Sequence, residues 1–188
     1  MNTDLVASEC KDLEMCFTDT RFISDLPICI RLDGRSFSRF THNMKKPYDS
    51  RMSFLMIATA KYLVKEYNAI IGYTQSDEIS LILSNTSLVP TIFDGKVQKI
   101  ISTIASSAST FFSLNFPAYF QTNVLDYSSS LPTFDARGFS VPSYKVASNC
   151  ILWRYLDCQK NAINMAARHY FSHSFLQNKS SIEMKEAL

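Results

Sequence analysis

The stretch Gln75-Ser76-Asp77-Glu78, around which the rest of the chain is organised, sets two adjacent carboxylates between two apolar segments. On its N-terminal side, Ala69-Ile70-Ile71-Gly72-Tyr73 predicts a short buried strand. On its C-terminal side, Ile79, Leu81 and Leu83 alternate with Ser80, Ile82 and Ser84, the two-residue period of a second strand. The four polar residues therefore fall at a hairpin turn. At the tip of an otherwise apolar hairpin, Asp77 and Glu78 repel each other and call for a compensating cation. A solvated turn rich in turn formers accounts for the same residues, so the choice rests on whether a second acid-bearing strand exists.

Leu26 to Arg35 supplies it. Ile28, Ile30 and Leu32 point one way and Cys29, Arg31 and Asp33 the other, which makes Asp33 the last strand residue on the polar face. Gly34 follows at once, where a missing Cβ lets backbone groups approach a ligand closely. Asp33 at one strand end and Asp77 at a neighbouring hairpin tip are the few hard oxygen ligands that a pair of Mg²⁺ ions about 3.5–4 Å apart requires, with substrate phosphates completing the coordination. Two roles stay open for Glu78, a third ligand or a structural ion pair, because neighbours on a hairpin alternate sides.

Charge distribution sharpens this. Residues 26–66 hold eight basic and three acidic side chains, whereas residues 1–25 hold two and six. A solvated helix face explains Lys61 and Lys65. Arg31, Arg35, Arg39, Lys45, Lys46 and Arg51 instead flank the Asp33 carboxylate, where polyphosphate recognition is a natural use.

The remaining elements follow from periodicity. Asp4 to Phe17 predicts a helix of uncertain face, and Ser36 to Lys46 a loop or short helical turn. Phe37 there is either a hydrophobic anchor or a base-stacking platform. Arg51 to Glu66 is helical, with Met52, Leu55, Met56, Thr59, Tyr62 and Leu63 on one face. A further helix runs from Lys96 to about Asn115, burying Val97, Ile100, Ile101, Ile104, Ala108 and Phe111, with Pro117 as its stop. Thr133 to Gly138 is a strand, and Ser148 to Ser172 a long helix on which Arg154, Asp157, Cys158 and Asn161 share a face. The order gives an α+β domain of ferredoxin-like βαββαβ topology with additional helices, the palm of many nucleotide polymerases. One domain over 1–188 is expected, 46% hydrophobic and long enough for a single core. The absence of a membrane-length apolar run and an acidic N-terminal stretch predict a cytoplasmic protein with no membrane partner. Five cysteines without a Cys-x-x-Cys provide neither a disulfide framework nor a zinc set.

Arg31-Leu32-Asp33-Gly34-Arg35-Ser36-Phe37-Ser38-Arg39-Phe40, Lys46-Pro47-Tyr48-Asp49-Ser50-Arg51, Gln75 to Ser80, Phe134-Asp135-Ala136-Arg137 and Trp153 to Asp157 together resemble, in order and spacing, the tRNA(His) guanylyltransferase family of 3′-to-5′ nucleotide-adding enzymes. The resemblance implies that Asp33, Gly34 (through its carbonyl) and Asp77 hold two Mg²⁺ ions, with Glu78 a further catalytic acid. It implies that Asp33, Gly34, Arg35, Ser36, Phe37, Ser38, Ser76 and Asp77, with Lys46, Arg51 and Lys99, bind the nucleotide. Arg137, Arg154, Asp157 and Asn161 are implied to meet RNA or a second nucleotide. The implied reaction activates the 5′ end of tRNA with ATP and then adds GTP or a template-directed NTP, carried out by a homotetramer built as a dimer of dimers. The family's eukaryotic branch continues its Asp-Cys pair with His-Ile-Asn-Asn, whereas Asp157-Cys158 here is followed by Gln159-Lys160-Asn161-Ala162. That is similar to the bacterial, archaeal and viral branch of template-dependent tRNA repair enzymes. Family members also extend well beyond the helix that the Ser180-Ser181-Ile182-Glu183 capping box opens. Other classes remain possible on the residues alone: a cyclase-like palm enzyme acting on NTP without RNA, or a catalytically incomplete RNA-binding module.

Overall fold

A computed structural model describes residues 3–86 and 92–188. Helix α1 (Thr3–Thr18) precedes strand β1 (Ile28–Arg35), the short α2 (Phe37–Phe40) and α3 (Ser50–Glu66). Strands β2 (Ile71–Gln75) and β3 (Glu78–Leu83) form the hairpin, followed by α4 (Val97–Phe120), α5 (Val124–Tyr127) and β4 (Thr133–Ser140). Helices α6 (Tyr144–Tyr170), α7 (His173–Leu176) and α8 (Ser181–Ala187) complete the chain. The four strands form one antiparallel sheet in the order β2-β3-β1-β4, the ferredoxin-like arrangement expected from the sequence. Among the described residues, no helix is long and apolar enough to cross a membrane.

The period-2 pattern places the layers. Ile28, Ile30 and Leu32 of β1 and Ile79, Leu81 and Leu83 of β3 form the main core with the apolar stripes of α3 and α4. On the opposite face Cys29 and Ile82 pack with Val141 and Ala147 under the start of α6. Asp49 caps α3 by accepting from the Arg51 amide at 3.0 Å, and Ser143 caps α6, which therefore begins four residues earlier than periodicity suggests. The capping box at Ser180 and Glu183 is formed.

Three expectations are corrected. The first hairpin strand is not buried: β2 is the edge strand of the sheet among the described residues, and its Ile71 is exposed. Pro117 does not stop α4, which continues to Phe120. An interior proline costs about 3 kcal/mol, but the last turn buries Phe116 and Phe120, stacked at 4.2 Å, and each contributes about 1.5–3 kcal/mol. Finally, Phe112 rather than Phe111 enters the core, and Phe111 stacks on Tyr62 at 4.4 Å.

Candidate active site

The strand register arranges the outer sheet face into rows. Residues opposite one another in antiparallel strands share a face. Asp33 lies opposite Glu78 on β3 and Asp135 on β4, giving an acidic row at one end of the sheet. Two residues back, Arg31 lies opposite Ser80 and Arg137; two further back, Cys29 lies opposite Ile82 and Phe139. Acidic, basic and apolar rows thus follow one another along β1. Like charges directly opposite are mutually destabilising, and α6, crossing this face, partly offsets them.

The hairpin closes with the two-residue turn Ser76-Asp77, with Ser76 at a φ of 49°. The Gly34 amide donates to the Asp77 carbonyl oxygen at 3.1 Å, which ties the Asp-Gly strand end to the hairpin tip. A Cβ at Gly34 would stand 2.5 Å from the Phe37 ring and 2.9 Å from the Asp77 Cβ. Gly34→Ala is therefore expected to destabilise the fold by about 1–3 kcal/mol and to displace Asp77. Denaturant unfolding checks this, and a variant as stable as the parent would show that the two loops yield freely.

Asp33 and Asp77 are brought together here. Burial pushes the Asp77 carboxyl above its ordinary value, and the neighbouring charges of Asp33 and Glu78 push it the same way. A carboxylate so placed favours a cation. Among the described residues no set of three or more His, Cys, Asp or Glu side chains is grouped so as to hold a metal ion by itself. That donor set suits Mg²⁺, which is commonly held by one or two carboxylates with water and substrate phosphate in its remaining positions.

Glu78 takes the structural role. It is buried, and Arg154 Nε of α6 donates to both of its carboxylate oxygens at 2.7 and 3.1 Å. Arg154 also donates to Asp157 at 3.0 Å, and the Asn161 amide donates to the same Asp157 oxygen at 3.3 Å. With the Gln75 amide nitrogen facing the Arg154 carbonyl, Gln75 donates there at 2.7 Å. The expected Arg154-Asp157-Asn161 face exists, but Arg154 is committed inside the protein. It also stacks over Trp153, with Arg31 on the same ring.

A cleft of about 410 Å³ opens beside Asp77. Ser38, Lys45, Lys46, Ser76, Asp77 and Asn161 give it polar walls, and Met44, Pro47 and Met165 apolar ones. Ser36 adopts a left-handed conformation, φ 57° and ψ 29°, directly before α2. Left- and right-handed residues in succession turn consecutive amides toward one point, a nest suited to anions. Phe37 is the anchor: 2% exposed, its ring packs against Phe40, Phe112 and Phe134.

Two basic residues are placed elsewhere than expected. Arg51 makes a bidentate pair with the buried Asp49, at 3.0 and 2.7 Å, and covers the Phe120 ring. The Arg51 guanidinium holds the Asp49 carboxyl well below the usual carboxylate range. Lys99 is not brought to the acidic group. Ser109 of α4 meets Phe134, opposite Gly34, whereas Ile101 meets Gly138, opposite Ile30, so Lys99 lies toward the far end of the sheet, over Phe93. Sequence reasoning missed Gln75 as a helix-binding group and Asp135 as a neighbour of Asp33, and only strand register identifies the second.

Fold and site together define a ferredoxin-like palm domain with an acidic strand end beside the left-handed turn at Ser36. A family model described as tRNAHis guanylyltransferase matches residues 7–142, and the chain belongs to that family. It is 33% identical over 144 residues to the tRNA(His) guanylyltransferase of Schizosaccharomyces pombe, covering 75% of this chain and 52% of the relative. It is 31% identical over 182 residues to an uncharacterized protein of Acanthamoeba polyphaga mimivirus, covering 84% of this chain and 62% of the relative. The chain thus spans about half to two thirds of those relatives' length. Among solved structures, a bacterial tRNA(His) guanylyltransferase-like protein in complex with ATP superimposes with a TM-score of 0.88 at 30% identity, over 97% of this chain and 78% of that one. One in complex with GTP gives 0.81 at 29% identity, over 97% and 76%.

Proposed function

We propose that this domain is a 3′-to-5′ nucleotidyltransferase that adds nucleotides to the 5′ end of tRNA, in 5′-end processing or repair in the cytoplasm. The observation that carries the reading is the Asp77 carboxyl, which feels the charge of Asp33, in the wall of a cleft that also includes Phe37 and Ser38 just after left-handed Ser36. Asp33, Asp77 and the Gly34 carbonyl are the groups that would hold two Mg²⁺ ions. When bound, these supply charge neutralisation of a triphosphate and a lowered pKa for an attacking hydroxyl. The Phe37 and Ser38 amides, with Ser76, receive phosphate oxygens, and Lys46 adds charge at the cleft wall. Arg154 and Gln75 hold the hairpin against α6 and so fix where Asp77 sits. Catalysis by these groups is positioning and charge stabilisation, and it would serve two balanced steps. A 5′-phosphate oxygen attacks the α-phosphorus of ATP and expels pyrophosphate, and the 3′-hydroxyl of the incoming NTP then loses its proton, attacks the activated 5′-phosphorus and expels AMP.

The Gln159-Lys160-Asn161-Ala162 sequence, which departs from the His-Ile-Asn-Asn of the guanylyltransferase branch, supports template-directed rather than guanine-restricted addition. Self-association as a dimer of dimers fits the exposed apolar residues Leu5, Leu13 and Phe17 of α1, a helix that buries none of its side chains, and Leu152 and Leu156 of α6. A monomer by light scattering would contradict the assembly without touching the chemistry. The reaction is tested by incubating the protein with Mg²⁺ and labelled NTPs, with and without a 5′-truncated tRNA carrying a 5′-phosphate. Label is expected in the RNA only. Turnover of NTP without RNA would support a cyclase-like enzyme instead, and RNA binding without incorporation an inactive binding module.

A further inference from the structure

The five cysteines show no pairing by their spacing, yet the fold brings two of them together. Cys29 lies on the outer face of β1, opposite Ile82 and Phe139 in register. Cys150 follows Ala147 by three residues on α6, so the two share the stripe that faces the sheet. Cys29, Ile82, Val141 and Ala147 form the small core under the start of α6, and Cys150 packs against it. Both cysteines are free thiols, and both line one slot of about 270 Å³ between α6 and the sheet. Nothing in the chemistry above uses them.

The two thiols differ in what they can do. Cys29 is 6% exposed, and burial, with the neighbouring Cys150 thiol, pushes its own thiol up to about 12. At neutral pH it is protonated and a poor first nucleophile. Cys150 is half-buried and meets the slot, so it is the group a reagent reaches first. The slot is electropositive. Arg31 and Arg137, directly opposite each other in their strands, both line it. Like charges so opposed are mutually unfavourable. Arg137 has Asp135 at 3.5 Å, whereas Arg31 makes no ion pair among the described residues. An anionic reagent is therefore drawn to this opening.

We propose that Cys29 and Cys150 form a redox modification site, converted reversibly to an intramolecular disulfide by a small carboxylate-bearing disulfide such as glutathione disulfide, so that oxidation ties α6 to β1. Cys150, having lost its proton, attacks one sulfur of glutathione disulfide; that S–S bond breaks, and the departing glutathione thiolate takes up a proton. The Cys29 sulfur then attacks Cys150 in the mixed disulfide, its proton passing to the second departing glutathione. Two protein thiols are oxidised to one disulfide, and one glutathione disulfide is reduced to two thiols. The link closes a loop of more than a hundred residues, the range in which a cross-link restricts the unfolded chain most. Where glutathione keeps thiols reduced such a link is transient, which suits a sensor rather than a permanent staple. Arg154 stands one turn beyond Cys150 on the same stripe, so the link secures the helix that holds Glu78.

The test treats the native protein with glutathione disulfide, alkylates the remaining thiols, digests without reduction and maps the linked peptides. A cross-link between Cys29 and Cys150 is expected, and dithiothreitol should reverse it. The Tm of the oxidised parent should rise by at least about 5 °C. Cys150→Ala, treated identically, should gain neither the link nor the rise. Dithiodipropionate, a dianion, should modify Cys150 faster than cystamine, a dication of similar size, each rate taken relative to the same reagent on free glutathione. That difference should shrink as salt is added. A mixed disulfide that persists on Cys150 without reaching Cys29, no modification of Cys150 at all, or a link between another pair of cysteines in its place would each overturn the proposal. So would an unchanged Tm in the linked protein, or relative rates that are equal or favour cystamine.

Discussion

Asp33→Ala and Asp77→Ala are each expected to reduce nucleotide addition by at least about 10³-fold, the several kcal/mol that metal charge supplies to a phosphoryl-transfer transition state. Neither side chain belongs to the core, so the fold should survive. The Asp77 carboxyl adds a signature that loss of activity alone lacks. Its value is raised in the folded state by burial and by Asp33 and Glu78, so the folded protein holds that proton more tightly than the unfolded chain does. In the absence of a divalent cation, stability is therefore lost as pH rises from the ordinary aspartate range through the raised folded-state value. Asp77→Asn removes the buried charge, and its metal-free Tm at neutral pH should equal or exceed the parent's while activity is lost. Mg²⁺ should raise the parental Tm more at neutral than at acid pH and leave Asp77→Asn unmoved. Retained activity in both alanine variants would sink the metal assignment.

Arg154→Ala should be the most destabilising single change at the site. The Arg154 and Glu78 side chains are 14% and 10% exposed, so solvent does little to screen the pair. Removing the guanidinium leaves Glu78 charged, buried and unpaired, a cost of about 3–5 kcal/mol. It also frees the hairpin from α6, so activity should fall with stability. The companion variant decides whether the pair or only its breakage matters: Arg154→Met combined with Glu78→Gln removes both charges and should recover most of the lost stability. A single variant that loses less than about 1 kcal/mol would show Glu78 neutralised or hydrated where the structure has it paired.

Legibility in the sequence followed the range of the interaction. The alternation in β1 and β3 was readable because a strand's faces are set by local period, and burial of Ile28, Ile30, Leu32, Ile79, Leu81 and Leu83 agrees. The turn at Ser76-Asp77 was readable from composition. Edge position was not, since nothing within Ile71–Gln75 records that, among the described residues, β3 is its one sheet neighbour. Pro117 misled because local helix propensity was outweighed by burial of Phe116 and Phe120. At the site, spacing showed that Arg154, Asp157 and Asn161 share a face, yet it could not show that Glu78, 76 residues earlier, occupies the arginine. Arg51 and Lys99 were grouped with the phosphate-binding cations by motif position, whereas Asp49 claims the first and the run of α4 along the sheet carries the second away.

The proposed activity is tested most directly by primer extension on four end-labelled, 5′-truncated tRNAs that differ only in the base opposite the first missing position, with Mg²⁺, ATP and each NTP in turn. Pairing rather than protein contacts should select the nucleotide, so C, A, G and U in the template should yield addition of G, U, C and A. Addition of G with similar efficiency opposite all four would contradict template direction and make the domain a dedicated guanylyltransferase. No addition on any of them, with the RNA bound, would contradict nucleotidyl transfer itself.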